Sequence, residues 1–209
     1  MKSLIFDNDG TLWESRALVA EGYNIQLREE GYDHLCVTAE DLKPLFGKVM
    51  TEIADAILAS VPENQRYSLM ERCMDTENRY LAENECRIGY DRVKETLEEL
   101  ARSYRLFIVS NAQCGYPELC MEKLGIGHLI EGHLCFGDTG TEKGQTILEL
   151  MRRHLIDDAV YIGDTQGDYE ATVVAGIPFI WAAYGFGNPS AAAAKICQIC
   201  DLPQAVQAL

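Results

Sequence analysis

The sequence predicts an α/β fold: a parallel sheet with helices on both faces, and a block of helices inserted after the first strand. Three observations predict it. Short apolar runs of strand length recur along the chain, and each stops at a polar or turn-forming residue. From residue 91 onward these runs alternate with segments of helical period, the pattern of a parallel sheet covered on both sides. Between residues 15 and 85 no convincing strand occurs, and apolar residues repeat there at helical spacing.

Leu4-Ile5-Phe6 is the first run, and its length and abrupt stop at Asp7 suit a buried parallel strand. Ser15 is the expected cap of a helix reaching about Glu30, before a Gly31 stop. Thr38-Ala39-Glu40-Asp41 resembles a capping box that opens a short helix. Over residues 51–60, Ile53, Ala54, Ile57 and Leu58 share one face. Pro62 suits a first helical position, and a long helix to about Glu85 would bury Leu69, Met70, Cys73, Met74 and Leu81. Beyond it come a helix over 91–103 with Val93, Leu97 and Leu100 inward, and a strand over 104–109. A helix over 117–124, a strand over 134–136, a helix over 143–154 and a strand over 159–162 follow. A helix over 168–175, stopped by Gly176, leads to a strand over 178–181. The Ala191–Ala194 run reads as helix. The 209 residues thus divide into a core, 1–13 with 87–209, and a helical domain, 14–86. Two linkers, at 12–14 and 86–90, are the expected hinges between them.

Hydrophobic residues make up 47% and charged residues 24%, as in an ordinary globular protein. Lys and Arg number 18 against 33 Asp and Glu, a net charge of −15. That excess argues against duplex nucleic acid and anionic membranes as partners, and it admits a divalent cation. Residues 14–86 hold 15 acids against 7 bases and the remainder 18 against 11, so both parts are acidic. No apolar run reaches membrane-span length, and MKSLIFDNDG lacks a signal-peptide pattern, so a cytoplasmic location with eight reduced cysteines is expected. Cys197 and Cys200 form the only close pair and read as small buried hydrophobes, because no second ligand pair lies near. His34, His128, His133 and His154 show no metal-ligand spacing and read as surface or satisfied residues.

Chemistry-bearing residues gather at the predicted strand ends. The first strand delivers Asp7-Asn8-Asp9-Gly10-Thr11 and the second Ser110-Asn111. The fourth delivers Gly163-Asp164, with Asp168 one helical turn later, and Lys143 opens a helix between the third and fourth. Each alone has an ordinary explanation: Asp as a helix cap, Ser-Asn as a turn, Lys as a solvated charge. Their joint occurrence at successive strand ends, where open α/β sheets bind ligands, does not. Asp7, Asp164 and Asp168 brought together would repel one another unless a hard cation, most simply Mg2+, lay among them. Lys143 and Ser110 suit phosphate oxygens, and backbone amides around Asp9 and Gly10 would complete the cradle. A carboxylate nucleophile could then form an acyl phosphate, with a second carboxyl two residues on as acid and base.

With these motifs the chain resembles the haloacid dehalogenase superfamily of phosphohydrolases, and within it the phosphoglycolate phosphatase-like subgroup with an all-helical cap. The family's DxDGT motif stands as Asp7 to Thr11, its strand ending in Ser or Thr as LFIVSNA, its Lys as Lys143 in TEKGQ, and its GDxxxD as Gly163-Asp164 and Asp168. The stretch AGIPFIWAAYGFG also resembles the family's segment after that last motif. The resemblance implies a Rossmann-like core. It implies Asp7 as nucleophile and Mg2+ ligand, and Asp9 as general acid and base with its carbonyl on the metal. Asp164 would be a metal ligand, and Asp168 a ligand or the partner of one. Ser110, Asn111 and Lys143 would bind phosphate beside Gly10, with Thr11 orienting the loop. In this family dehalogenases carry Tyr at the position of Asp9, phosphonoacetaldehyde hydrolases Ala and P-type ATPases Thr, so Asp9 favours a phosphatase or a phosphomutase. A β-phosphoglucomutase-like mutase and a non-catalytic phosphate-binding or regulatory protein stay open as alternatives.

Asn8 replaces the usual apolar residue between the two aspartates, with little effect expected because its backbone does the work, and Lys143 precedes Gly144 rather than the frequent Pro. Residues 42–51 lie where the family carries its specificity loop, with Gly47 for the turn and Lys48 either facing substrate or solvated. Trp13 and Arg16, and more weakly Tyr23 and Tyr80, are candidates to line a crevice between cap and core, Trp13 equally as packing. The expected substrate is a small phosphorylated metabolite, bound by a monomer or homodimer.

Overall fold

The computed structural model of the chain describes residues 1–85 and 88–209. Cys86 and Arg87, and with them part of the second expected linker, lie outside the described residues. The chain forms two compact units, Met1–Glu14 with Ile88–Leu209, and Ser15–Arg87.

The chain enters on β1 (Ser3–Phe6), buried at every residue. The helical unit follows as α1 (Arg16–Glu29), α2 (Ala39–Leu42), α3 (Met50–Ile57) and α4 (Glu63–Glu83). Its main packing sets α1 on α4, with Val19, Tyr23 and Leu27 of the first buried beside Leu69, Met70, Cys73 and Leu81 of the second. Gly22 lets the two helices approach closely, since a Cβ there would stand 2.8 Å from Glu77 Cα. The buried Asn24 amide pins the loop before α2, exchanging two 2.8 Å hydrogen bonds with the Val37 backbone. Thr38 caps α2 as its sequence suggests, accepting from Asp41 N while its own N–H donates to Asp41 Oδ2. Ser15 and Pro62 depart from expectation. Ser15 makes no side-chain cap, and Pro62 sits outside α4 as its N-cap. Met74 is only half-buried.

The core unit resumes with α5 (Val93–Leu100), β2 (Arg105–Ser110), α6 (Tyr116–Leu124), β3 (Ile130–Cys135), α7 (Phe136–Thr139) and α8 (Lys143–Arg153). It continues with β4 (Ala159–Gly163), α9 (Gln166–Ala175), β5 (Phe179–Ala182), β6 (Ala194–Ile196) and α10 (Leu202–Gln207). Among the described residues the strands form one parallel sheet in the order β3-β2-β1-β4-β5-β6. Ile5, Phe107, Val109, Ile147, Leu150, Tyr161 and Phe179 belong to one buried cluster that joins the sheet to a covering helix. The chain works outward from β1 to β3 on one side and then from β4 to β6 on the other. The strand order therefore reverses between β1 and β4, the switch point where such sheets bind ligands.

Two parts of the core differ from the sequence reading. The 191–194 run is not helical: Ala194 opens β6 and pairs with Ile180, and Ala193 N donates to Phe179 O at 2.8 Å. An unpaired sheet edge outweighs the helical preference of alanine there. β3 begins at Ile130 rather than at 134. It is an edge strand whose first four residues are half-buried or exposed, so only its buried end reads as an apolar run. Cys197 is exposed and Cys200 half-buried, against the expectation of two buried thiols. Among the described residues no helix is long and apolar enough to cross a membrane.

Candidate active site

Strand register brings the predicted residues together. Phe6 pairs with Ile108 on one side and Ile162 on the other, so Asp7, Ser110 and Asp164 all emerge at the same edge of the sheet. Asp7 N donates to Ile162 O at 2.9 Å, extending the β1–β4 ladder to the nucleophile candidate itself. Asp7, Asp164 and Asp168 are all buried, and one carboxylate oxygen from each lies within 4.8 Å of the others.

Lys143, at the start of α8, is buried among them. Its Nζ lies 2.6 Å from Asp168 Oδ1 and 3.1 Å from Asp7 Oδ1. Asp168 is held in turn by the opening of α9. Its Oδ2 accepts from Asp164 N, from Thr165 N and from Thr165 Oγ1, and Thr165 caps the helix by accepting from Asp168 N. Tyr161 OH, 3.4 Å from Asp168 Oδ1, also donates to Val109 O. Burial acts to raise the Asp168 pKa, but Lys143 and the Thr165 donors outweigh it and hold the carboxyl below its usual range. Burial dominates at Asp7 and pushes its carboxyl up to about 7, with Lys143 pulling down and Asp168 and Asp9 pushing further up. Asp164 rises for the same reasons, burial first and then the charges of Asp168 and Asp7. Lys143 is buried too, yet the two carboxylates keep its ammonium charged.

These residues fit a hard divalent cation. Asp164 Oδ1 is buried without a hydrogen-bond partner. Its Oδ2 accepts from Phe186 N at 2.6 Å. The backbone crowds round this side chain, since a Cβ at Gly10 would overlap the Asp164 carboxylate and one at Gly185 would overlap Asp164 Cβ. A fixed carboxylate with one buried, unsatisfied oxygen beside a second acid is the donor set such a cation requires.

Asp9 lies at the edge of this cluster, 9% exposed. Its Oδ1 accepts from Trp13 Nε1 and from Tyr116 OH, each at 2.8 Å, and the two rings meet edge to face. The loop that sets Asp9 is built on one carbonyl. Asn8 O accepts from Thr11 N, Leu12 N and Trp13 N, and Gly10 takes φ +76° to let the chain turn. Tyr184 OH donates to Thr11 O and ties the segment after β5 to the same loop. The Asn8 backbone does its expected work, but its buried side-chain amide has no hydrogen-bond partner. The Thr11 hydroxyl is likewise buried without one, so only its backbone contacts hold the loop.

Ser110 Oγ accepts from Ala112 N at the end of β2, and Asn111 is half-buried beside it. Lys48 belongs to the helical unit, where it is 47% exposed and pairs with Glu52. Arg16 pairs with Glu40 in that unit, and Tyr23 is part of its buried interior. Trp13 lies wholly buried in the core unit with its indole on Asp9. Sequence reasoning missed Tyr116, Tyr161 and the amide of Phe186. Tyr116 follows a glycine at a helix start, with nothing in its surroundings to link it to a residue 107 positions earlier. Phe186 acts through its backbone, and only the flanking glycines of YGFG hinted at a close approach.

Residues 4–182 match the haloacid dehalogenase-like hydrolase family, and the chain belongs to it. It is thus a hydrolase of the class whose fold and strand-end aspartates it displays. Among its relatives, the phosphoglycolate phosphatase of Xanthomonas campestris pv. campestris is 26% identical over 196 residues, covering 88% of this chain and 84% of that protein. The phosphoglycolate phosphatase of Aliivibrio fischeri is 24% identical over 90% of this chain and 86% of its own length. The fold is shared with a haloacid dehalogenase-like hydrolase of Streptococcus pneumoniae, at a TM-score of 0.83 and 19% identity over 98% of both chains. It is shared also with a predicted phosphoglycolate phosphatase of Haemophilus somnus, at a TM-score of 0.82 and 23% identity over 99% of this chain and 98% of that one.

Proposed function

We propose that the chain is a Mg2+-dependent phosphatase that hydrolyses a small phosphomonoester through an aspartyl phosphate on Asp7. The observation that carries the reading is the buried group of Asp7, Lys143 and Asp164 at the switch point, with Asp9 two residues from Asp7 and its carboxylate oriented by two donors. Asp7, Asp164 and the Asp9 carbonyl would hold the ion, with Asp168 beside them fixing Lys143. When bound, Mg2+ would supply positive charge to the transferring phosphoryl group and lower the pKa of Asp7.

Asp7 attacks phosphorus as a carboxylate, and the ester oxygen leaves with a proton from Asp9. Asp9, now a carboxylate, takes a proton from water. The hydroxide so formed attacks the same phosphorus, releasing phosphate and restoring Asp7. Lys143 and Ser110 hold the non-bridging oxygens, joined by Asn111 and the amides near Gly10. The name carried by both relatives makes a compact anionic ester such as phosphoglycolate the first substrate to try, with Lys48 of the helical unit as a specificity candidate.

Hydrolysis of p-nitrophenyl phosphate by the chain and by Asp7→Asn, with and without Mg2+, tests the reading. The expected result is Mg2+-dependent release by the unaltered chain and a loss of about 10³-fold or more in the variant. Equal rates would sink the nucleophile assignment. Isomerisation of a hexose 1-phosphate faster than phosphate release would instead identify a mutase.

A further inference from the structure

A second set of metal-ligating side chains converges away from the aspartates. Cys114 lies on the connection from β2 to α6, Cys135 ends β3, and Asp138 sits in α7. One donor atom from each lies within 4.8 Å of the others. Cys114 Sγ stands 3.7 Å from Asp138 Oδ1, and Cys135 Sγ stands 3.1 Å from Asp138 Oδ2. A tetrahedral Zn2+ ion, about 2.3 Å from sulfur and about 2.0–2.2 Å from carboxylate oxygen, keeps its donors about 3.5–3.8 Å apart. Of the two Cys–Asp distances one falls within that spacing and the other short of it, and the two sulfurs lie within 4.8 Å of each other.

The backbone holds them there. Gly137 N donates to Ala112 O at 3.1 Å, and a Cβ at Gly137 would overlap the Cys114 amide, so these two segments are packed as closely as glycine permits. Cys135 N donates to Asp138 Oδ2 at 2.9 Å, which orients the carboxylate. Helix capping of α7 accounts for the Cys135–Asp138 pair but not for Cys114, which comes from a different segment with its residue exposed. His133 lies two residues before Cys135, on the same face of β3, and its Nδ1 is buried without a hydrogen-bond partner. Its Nε2 stands 3.9 Å from Glu118 Oε1, and the ring is not among the three converging donors, so His133 is half-buried and only partly satisfied.

We propose that Cys114, Cys135 and Asp138 form a site for a thiophilic divalent cation of the Zn2+ class, separate from the aspartate cluster and with a fourth position open. Two thiolates and one carboxylate select such an ion over Mg2+. Binding replaces the two thiol protons, which pass to solvent. Occupancy ties the end of β3 to the connection that begins at Ser110 and ends at Tyr116.

Titration of the full chain with Co2+, under a phosphine reductant, tests the proposal without reference to hydrolysis. The expected result is a thiolate-to-cobalt charge-transfer band saturating at one equivalent and displaced by Zn2+. Cys114→Ala, at an exposed position, abolishes the band, and Asp138→Asn weakens binding about tenfold or more. Asp164→Asn and the double variant Cys197→Ala/Cys200→Ala keep it. No band in the unaltered chain, a band that survives Cys114→Ala, or one lost with Cys197 and Cys200 would each overturn the assignment.

Discussion

Asn8 shows how a single residue separates backbone from side-chain duty. Its carbonyl gathers three amides of the loop, while its amide group is buried with nothing to bond. An unsatisfied buried polar group costs about 1–3 kcal/mol, so Asn8→Leu, of similar branching, is expected to raise stability by about 1–2 kcal/mol in denaturant melts with activity kept. A drop in stability would show that the amide does find a partner. Asp9 shows the opposite case, a side chain whose environment is organised for it. Two donors, Trp13 Nε1 and Tyr116 OH, fix the position of Oδ1. Replacing both, as Trp13→Phe with Tyr116→Phe, should lower kcat about tenfold or more with KM little changed, because the carboxyl is then no longer held in place. An unchanged kcat would show that the two donors do not position Asp9 for proton transfer.

At the scale of elements, the site is assembled by strand register and finished by loops. Register is what made Asp7, Ser110 and Asp164 legible in the sequence. Each follows an apolar run, and parallel pairing then aligns the ends. Lys143 was legible as a helix start between two such runs. The contacts that fix these residues were not, because they cross the chain between types with no intrinsic affinity. Tyr116 reaching Asp9 and Tyr184 reaching Thr11 are decided by packing. β6 and α10 escaped for a related reason, the first being only three residues long and set by an edge that needs a partner. The segment after β5 supplies the element-scale prediction. In Gly185→Ala the new Cβ would meet Asp164 Cβ and the Gly10 carbonyl, so a loss of about 1–3 kcal/mol is expected by thermal melting, with weaker Mg2+ binding by titration. Unchanged values in both would mean that this segment yields freely.

At the scale of the whole molecule, the net charge of −15 divides between a solvated surface and a buried group that works against the fold. Asp7 is raised from 3.8 to about 7 and Asp164 is raised with it, burial being the first cause in both. The folded chain then keeps protons that the unfolded chain has released, so this contribution to stability declines as pH rises from about 4 to about 7. Asp168, held low, and Lys143, held high, titrate outside that window. Without divalent cation, Tm is therefore expected to fall between about pH 4 and about pH 7, with Mg2+ raising it most at the upper end. Asp7→Asn should flatten the profile. A Tm that climbs across this range in the unaltered chain and in the variant alike would contradict the electrostatics of the cluster.

The hydrogen bond from Phe186 N to Asp164 has a consequence for how the protein can vary. An amide is common to nineteen of the twenty amino acids, so position 186 can change its side chain without releasing the carboxylate. The constraint leaves almost no trace in the residue type found there. Its only signature is an omission, the exclusion of proline, and a comparison of residue identities alone would pass over a contact on which the proposed cation site depends.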